Sequence, residues 1–302
     1  MAAVAFFGDL DVWRTGGTRV GHGHALADRL GSGEGFNLGT RSRLAGMSIP
    51  ANALLCVLLA PRCAVCRGLL EEPLGGPVCE TCWAAIRPMT PPVCEACGDP
   101  LPSWRLVSAV TARCPRCRRT PRAIDRARAI GEYTGALRQI VHVLKYDRRR
   151  SVARRLGRLM KSHAGPLLEG VDWVVPVPLH AGRERWRGFN QAADLAAALG
   201  LPTRDALCRR RQTAPQVELP AARRHANVRG AFAPAPRPRW WPARGARAAD
   251  LSGCCVLLVD DVTTTGATLD ACARALKAAG AREVRALTAA RVVRRRPFGS
   301  RR

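Results

Sequence analysis

Val256, Leu257, Leu258 and Val259 form an unbroken apolar run, the pattern of a strand buried on both faces of a parallel sheet. Asp260 and Asp261 follow, then Val262-Thr263-Thr264-Thr265-Gly266-Ala267-Thr268. Beyond that loop Leu269, Cys272, Ala273 and Leu276 recur at i, i+3, i+4 and i+7, one apolar helix face, and Gly280 closes it. The stretch therefore reads as strand, acidic pair, small-residue loop and helix start.

Upstream the same periods recur. Leu137, Ile140, Val141 and Leu144 predict a helix ending at Lys145-Tyr146-Asp147. Ser151 is placed as the N-cap of the next helix, with Val152, Leu156, Leu159 and Met160 inside. Trp173 to Val175 predicts a buried strand running into Pro176-Val177-Pro178-Leu179-His180, a rigid, donor-poor turn suited to binding. A basic loop with Arg183, Arg185 and Arg187 leads to Gly188-Phe189-Asn190-Gln191 and a Leu195/Leu199 helix. The polar run from Arg211 to Phe232 has no clear period and reads as a functional loop. Pro234 to Arg247, with Trp240-Trp241, reads as a Pro/Arg insertion, and Val284 to Ala290 as the last strand. The alternation of helix and strand makes the fold class α/β, a parallel sheet flanked by helices.

Nearer the N-terminus the pattern fades. Residues 1–46 carry no sustained period and read as a disordered or non-native extension, with Met47 as the expected functional start. Gly31 to Gly35 is no dinucleotide fingerprint, because no strand precedes it. Ala51 to Ala60 predicts a short apolar helix packing beneath a small domain over 47–120, which is followed by the α/β domain over 121–302.

That small domain is defined by cysteines. Eight of the chain's 13 form four C-x-x-C pairs: Cys63/Cys66, Cys79/Cys82, Cys94/Cys97 and Cys114/Cys117. Each pair turns two thiolates toward one tetrahedral ion, and two pairs complete four sulfur ligands. Tandem four-cysteine ribbons holding two structural Zn²⁺ are the economical reading, with interleaved pairing also open. Such grouping indicates metal in a reducing compartment rather than disulfides. No segment reaches the ~18 apolar residues of a membrane helix, so a cytoplasmic protein is expected.

The formal charge is +26, almost all of it arginine. Two filled ribbons would lower it by roughly four. A surface this basic attracts polyanions such as nucleic acid or phosphorylated metabolites. Aromatic content of 5% argues against an extensive base-stacking groove.

The loop after the acid pair offers amides and hydroxyls to a phosphate. One phosphate away, carboxylates can accept a sugar's vicinal hydroxyls and stabilise a ribose ring that turns cationic. Val256 to Thr268 resembles the phosphoribosyl-diphosphate (PRPP) signature of type I phosphoribosyltransferases. Several further blocks join it: Lys145-Tyr146, Pro176 to His180, Arg187 to Gln191, Arg211-x-Thr213-x-x-Gln216 and Arg224-x-x-Asn227-x-x-Gly230-Ala231-Phe232. With the tandem C-x-x-C head, the chain resembles the ComF (competence protein F, GntX-like) family over about residues 50 to 293.

The resemblance implies a type I phosphoribosyltransferase-like sheet preceded by a double zinc ribbon, and a role in DNA uptake or nucleoside metabolism. Asp260 and Asp261 would be the catalytic pair on the ribose hydroxyls. Thr263, Thr264, Thr265, Gly266, Ala267 and Thr268 would hold the 5-phosphate, with Mg²⁺ accompanying PRPP. Arg183 and Arg187 would contact diphosphate or nucleic acid. For Lys145 and His180 an ordinary surface or supporting role weighs equally. Expected partners are PRPP or another phosphoribosyl compound, and single-stranded DNA or a helicase-type uptake protein, the latter placing the chain at the inner membrane face. The rival class is a non-catalytic, DNA-binding competence factor that senses PRPP or a nucleotide in the same pocket.

Overall fold

A computed structural model describes residues 51–101, 112–211, 223–236 and 250–293. The proposed extension before Met47, residues 212–222 with Thr213 and Gln216, the Trp240-Trp241 insertion and residues 294–302 lie outside the described residues. A four-stranded parallel sheet in the order β1-β6-β5-β2 forms the centre. Its strands are β1 (Arg126–Glu132), β2 (Trp173–Pro176), β5 (Cys255–Thr263) and β6 (Glu283–Arg291).

β5 alternates faces as a pleated strand must. Leu257 and Val259 join a core with α4 (Gly135–Lys145), α5 (Ser151–Ala164) and α7 (Gln191–Ala198). Val256 and Leu258 join the opposite core with α9 (Ala267–Ala278). Helices cover both faces, so β5 is apolar from Cys255 to Val259, as its sequence predicted. Gly157 lets α5 approach α7 closely, since a Cβ there would lie 2.4 Å from Ala198 Cβ.

Several local expectations are corrected. Ser151 is the first residue of α5 rather than its cap, which is Arg150 in helical backbone conformation. The charged stretch before Tyr133, given no element from sequence, contains β1, where Ala127, Ala129 and Ile130 are buried between Arg126 and Arg128 and their neighbours. The aperiodic run holds structure too. A two-stranded antiparallel sheet pairs β3 (Leu207–Arg209) with β4 (Phe232–Pro234), and α8 (Arg223–Val228) lies between them in sequence. The pairing of β3 and β4 is non-local, so no short window could display it.

In the leading region, α1 (residues 51–59) is helical, but Leu54, Val57, Leu58 and Leu59 are exposed rather than packed beneath the ribbons. Only its other side is tied down, Asn52 Oδ1 accepting from Leu74 N at 3.0 Å. Two short helices, α2 (Glu80–Ala84) and α3 (Pro115–Arg119), carry one knuckle each.

The first cysteine cluster packs into the core of α4 and α5 through Cys63, Leu70, Val78 and Trp83. Arg155 of α5 pairs with Glu80 and stacks over Trp83 at 4.8 Å. The chain between the clusters then covers the open edge of β1, with Met89 N donating to Ile130 O at 2.9 Å. The second cluster lies against the start of β1 and the end of β6. Ala127 N donates to Glu95 O at 2.8 Å, and buried Arg291 binds Asp99 Oδ1 at 2.5 Å and Cys97 O at 2.6 Å. Among the described residues, no helix is long and apolar enough to cross a membrane.

Candidate functional site

The site begins where the β2–β5 ladder stops. Val177 N still donates to Val259 O at 2.9 Å. Parallel pairing would next join Asp261 N to Val177 O. Both groups are instead taken elsewhere: Asn190 Nδ2 donates to Val177 O at 3.1 Å, and Asp261 N donates to Asp260 Oδ1 at 2.8 Å. Pro178 follows with no N–H to offer. β5 continues to Thr263 paired only with β6, four residues further than the apolar run alone suggested, and its bare side opens into a cleft of about 870 Å³. Ligands bind beyond the carboxyl ends of such strands where neighbours diverge.

Strand alternation sends the two carboxylates in different directions. Asp261 continues the α4 side, where its Oδ2 lies 2.8 Å from Lys145 Nζ at the end of α4. Its Oδ1 accepts from Val262 N at 2.6 Å, and the residue is 3% exposed. Asp260 continues the α9 side, toward Arg209 and Cys272. Burial first, and then the adjacent Asp261 charge, push the Asp260 carboxyl up to about 8, with Lys145 opposing. Burial alone would lower the Lys145 ammonium, but Asp261 reverses that and raises it. Lys145 is thus a member of the site that sequence left ambiguous. Its partner lies 116 positions away, and only the fold brings them together.

The cleft's remaining charge is positive. Arg183 and Arg187 of α6 (Ala181–Arg187) line it with Arg138, Arg209 and Arg224. Arg187 is buried, donates to Gln191 Oε1 at 2.5 Å and lies 5.6 Å over the Tyr146 ring. Its Nε is buried without a hydrogen-bond partner among the described residues. Burial lowers the Arg187 guanidinium and Asp261 opposes it, yet arginine stays charged in proteins. A buried cation with an idle donor suits an oxygen-rich anion. His180 caps α6, its Nδ1 accepting from Gly182 N at 3.2 Å, so it has a structural job. Asn190 and Gln191 are likewise structural, one capping α7 and tying Val177, the other holding Arg187.

The threonine loop divides. Thr264 and Thr268 line the cleft. Thr263, Thr265, Gly266 and Ala267 do not. Thr263 and Gly266 border a small void with Arg122 and Arg291. Thr265 Oγ1 accepts from Ala267 N at 3.4 Å, bracing the start of α9. Gly266 adopts φ +76°, and a Cβ there would lie 2.6 Å from Arg122 Nη1, so this position requires glycine. Arg122 Nη2 donates to Thr265 O at 3.0 Å, fastening the loop from behind.

The cysteines sort into two clusters in sequence order, Cys63/Cys66/Cys79/Cys82 and Cys94/Cys97/Cys114/Cys117, which resolves the pairing. Within each, all sulfurs lie within 4.8 Å of one another. Cys63–Cys82, Cys66–Cys79 and Cys97–Cys114 Sγ separations are 3.9, 3.7 and 3.8 Å. A tetrahedron with Zn–S of about 2.3 Å has edges of about 3.8 Å, so the donor sets fit zinc. Backbone amides support the sulfurs, as where Cys114 N donates to Cys94 Sγ at 3.2 Å. Four sulfurs leave no open position, which makes these sites structural.

Comparison with known proteins gives two family matches. Residues 186–298 match the phosphoribosyl transferase domain family, and residues 54–118 the double zinc ribbon domain family. DNA utilization protein YhgH of Salmonella typhimurium is 31% identical over 232 residues, covering 74% of this chain and 93% of its own. Competence protein F of Haemophilus influenzae is 29% identical over 236 residues with the same coverage. Among solved structures, a glutamine phosphoribosylpyrophosphate (PRPP) amidotransferase from B. subtilis matches at 23% identity and a TM-score of 0.29. That match spans 46% of this chain and 26% of the other.

Proposed function

The chain belongs to the family of competence protein F and DNA utilization protein YhgH, and on that premise we propose that its cleft binds PRPP and transfers the 5-phosphoribosyl group. The observation that carries this reading is one cleft holding Asp260, Asp261, Thr264, Thr268, Arg183 and Arg187 together. The carboxylates accept the ribose hydroxyls. The threonine hydroxyls and the first amides of α9, which lack intrahelical acceptors, hold the 5-phosphate. Arg183 and Arg187 meet the diphosphate. Mg²⁺ would enter with PRPP, with Asp260 and Asp261 the carboxylates that would hold it in the cleft, and would neutralise leaving-group charge.

In the transfer, a nitrogen lone pair of the acceptor forms a bond to C1 while the C1–O bond breaks. Diphosphate departs with that electron pair, and the acceptor loses its proton to solvent. Asp261 supplies negative charge beside the oxocarbenium-like ring, Asp260 adds to it in its ionised form, and positioning supplies much of the remaining acceleration.

A second reading, a non-catalytic factor that senses PRPP while arginine surfaces engage single-stranded DNA or a helicase-type partner, draws on one feature. Asp261 is already paired with Lys145, an arrangement that serves a binding switch as well as an enzyme. In either case the working place is the cytoplasm, at the inner membrane face during DNA uptake.

Calorimetry with PRPP and Mg²⁺ tests the pocket: Asp260→Asn/Asp261→Asn should bind at least tenfold more weakly, and unchanged affinity sinks the proposal. Diphosphate release against a panel of bases and amines then separates the readings. Turnover selects the enzyme, and binding without turnover selects the sensor.

A further inference from the structure

A second cavity, of about 1020 Å³, shares no lining residue with the cleft at the acid pair. Its walls come from three places: α3 of the second ribbon, the segment joining ribbon to sheet, and the α8–α9 region. Among the described residues, four guanidinium side chains line it, Arg116, Arg122, Arg229 and Arg274, against a single carboxylate, Asp270. That carboxylate is already committed. Its Oδ1 accepts from Ala123 N at 2.7 Å and its Oδ2 pairs with Arg274 at 2.8 Å. Among the described residues the lining thus carries four guanidinium groups and one carboxylate, a cationic surface.

The lining is also partly apolar, with Phe232 and alanines of α8 and α9 between the arginines. Its volume stands at the top of the range for small-molecule sites, ~300–1,000 Å³. A bare phosphate would leave most of it filled by water. Guanidinium forks with an apolar wall suit a phosphate joined to a planar, weakly polar group.

We propose that this cavity is a second binding site, for a nucleoside phosphate, and that its occupancy is felt at the phosphate loop through Arg122. The link is direct. Arg122 lines the cavity and donates to Thr265 O at 3.0 Å, with its other terminal nitrogen against Gly266. A guanidinium has five donors, so a phosphate can engage Arg122 without releasing Thr265. Anchoring that side chain restricts the loop that receives the 5-phosphate, which favours PRPP. Coupling of this kind typically changes affinity by about 5- to 150-fold, and equally in both directions. The coupling clause rests on the PRPP reading, whereas the second site itself does not.

The probe is ATP, titrated calorimetrically into the full chain. The variant Arg229→Gln/Arg274→Gln removes two exposed cations and leaves the acid pair and Arg122 in place; its melting temperature checks that it folds. The expected results are ATP affinity reduced at least tenfold in that variant and unchanged in Asp260→Asn/Asp261→Asn. PRPP affinity should rise about fivefold or more when ATP is saturating. Loss of ATP binding in the aspartate variant instead places ATP in the main cleft and overturns the proposal. So does inorganic triphosphate binding as tightly as ATP, which would mean charge attraction only. A ten-nucleotide single-stranded DNA that binds where ATP does not also overturns it. An unchanged PRPP affinity overturns the coupling. If PRPP binds nowhere, the proposed function fails, and the ATP comparisons still decide this site.

Discussion

Lys145 Nζ and Asp261 Oδ2 lie 2.8 Å apart at the floor of the cleft, with side chains 17% and 5% exposed. Removing one member of a largely buried ion pair strands the other's charge and costs about 3–5 kcal/mol. Lys145→Met should destabilise the chain by about 3 kcal/mol, toward the low end because the pair borders an open cleft. Combining it with Asp261→Asn should recover most of the loss. Denaturant melts of the two single variants and the double variant give the coupling directly, and additive losses would mean that the pair does not hold.

The pH dependence follows from Asp260. Its carboxyl titrates at about 8 in the folded chain, against an ordinary value of 3.8. Between those values this group binds more protons in the folded state than in the unfolded state, so its contribution to stability falls as pH rises from 3.8 to about 8 and is level outside that window. Asp260→Asn should flatten this slope and melt higher than the wild type at pH 8. Thermal melts across pH 4 to pH 9 measure it, and parallel wild-type and mutant curves would refute the assignment.

The second ribbon should govern the phosphate loop. Arg291 joins Asp99 and Cys97 O to the last pair of the β5–β6 ladder, Thr263↔Arg291. Cys94→Ser/Cys117→Ser should bind about one zinc rather than two by metal analysis. It should also weaken PRPP binding although neither cysteine lines the cleft. The matching pair Cys66→Ser/Cys79→Ser, in the ribbon packed on α4 and α5, should lose zinc with a smaller effect on PRPP. Equal effects on PRPP from both pairs would argue against this route.

Gly266→Ala tests the loop from within. A left-handed backbone costs a residue with a Cβ about 1–2 kcal/mol, and the new methyl also displaces Arg122. The expected result is a loss of about 2 kcal/mol in stability and weaker PRPP binding. Gly157→Ala, where a Cβ would strike Ala198 of α7, should cost about 1–3 kcal/mol by overpacking and leave PRPP affinity alone.

What the sequence displayed and what it concealed divide along physical lines. The run before Asp260 is apolar at every position because β5 is covered on both faces, and α4 shows its stripe because one side meets the core. Those signals are local. β1 escaped notice because Arg126 and Arg128 alternate with small buried residues, so it shows no run of large apolar side chains. α1 misled in the other direction: its leucines suggested a buried helix, and the fold leaves four large apolar side chains exposed. The threonines looked equivalent in sequence, yet the turn after Thr263 gives Thr264 and Thr268 to the cleft and turns Thr265 to bracing α9. The roles of Lys145, Arg122 and Arg291 depend on partners more than a hundred positions away in the chain.

The early end of the β2–β5 ladder also sets a constraint on redesign. Asn190 and the Asp260 carboxylate act as two stoppers that keep a zipper from closing. A variant stripped of both, with Pro178 made able to donate, would knit the strands two residues further and seal the entrance, losing in Asp260 one of the two acids proposed to meet the ribose. Openness here is a property of the backbone's unfinished pairing, and an engineer grafting this mouth onto another sheet would have to transplant the stoppers along with the acids.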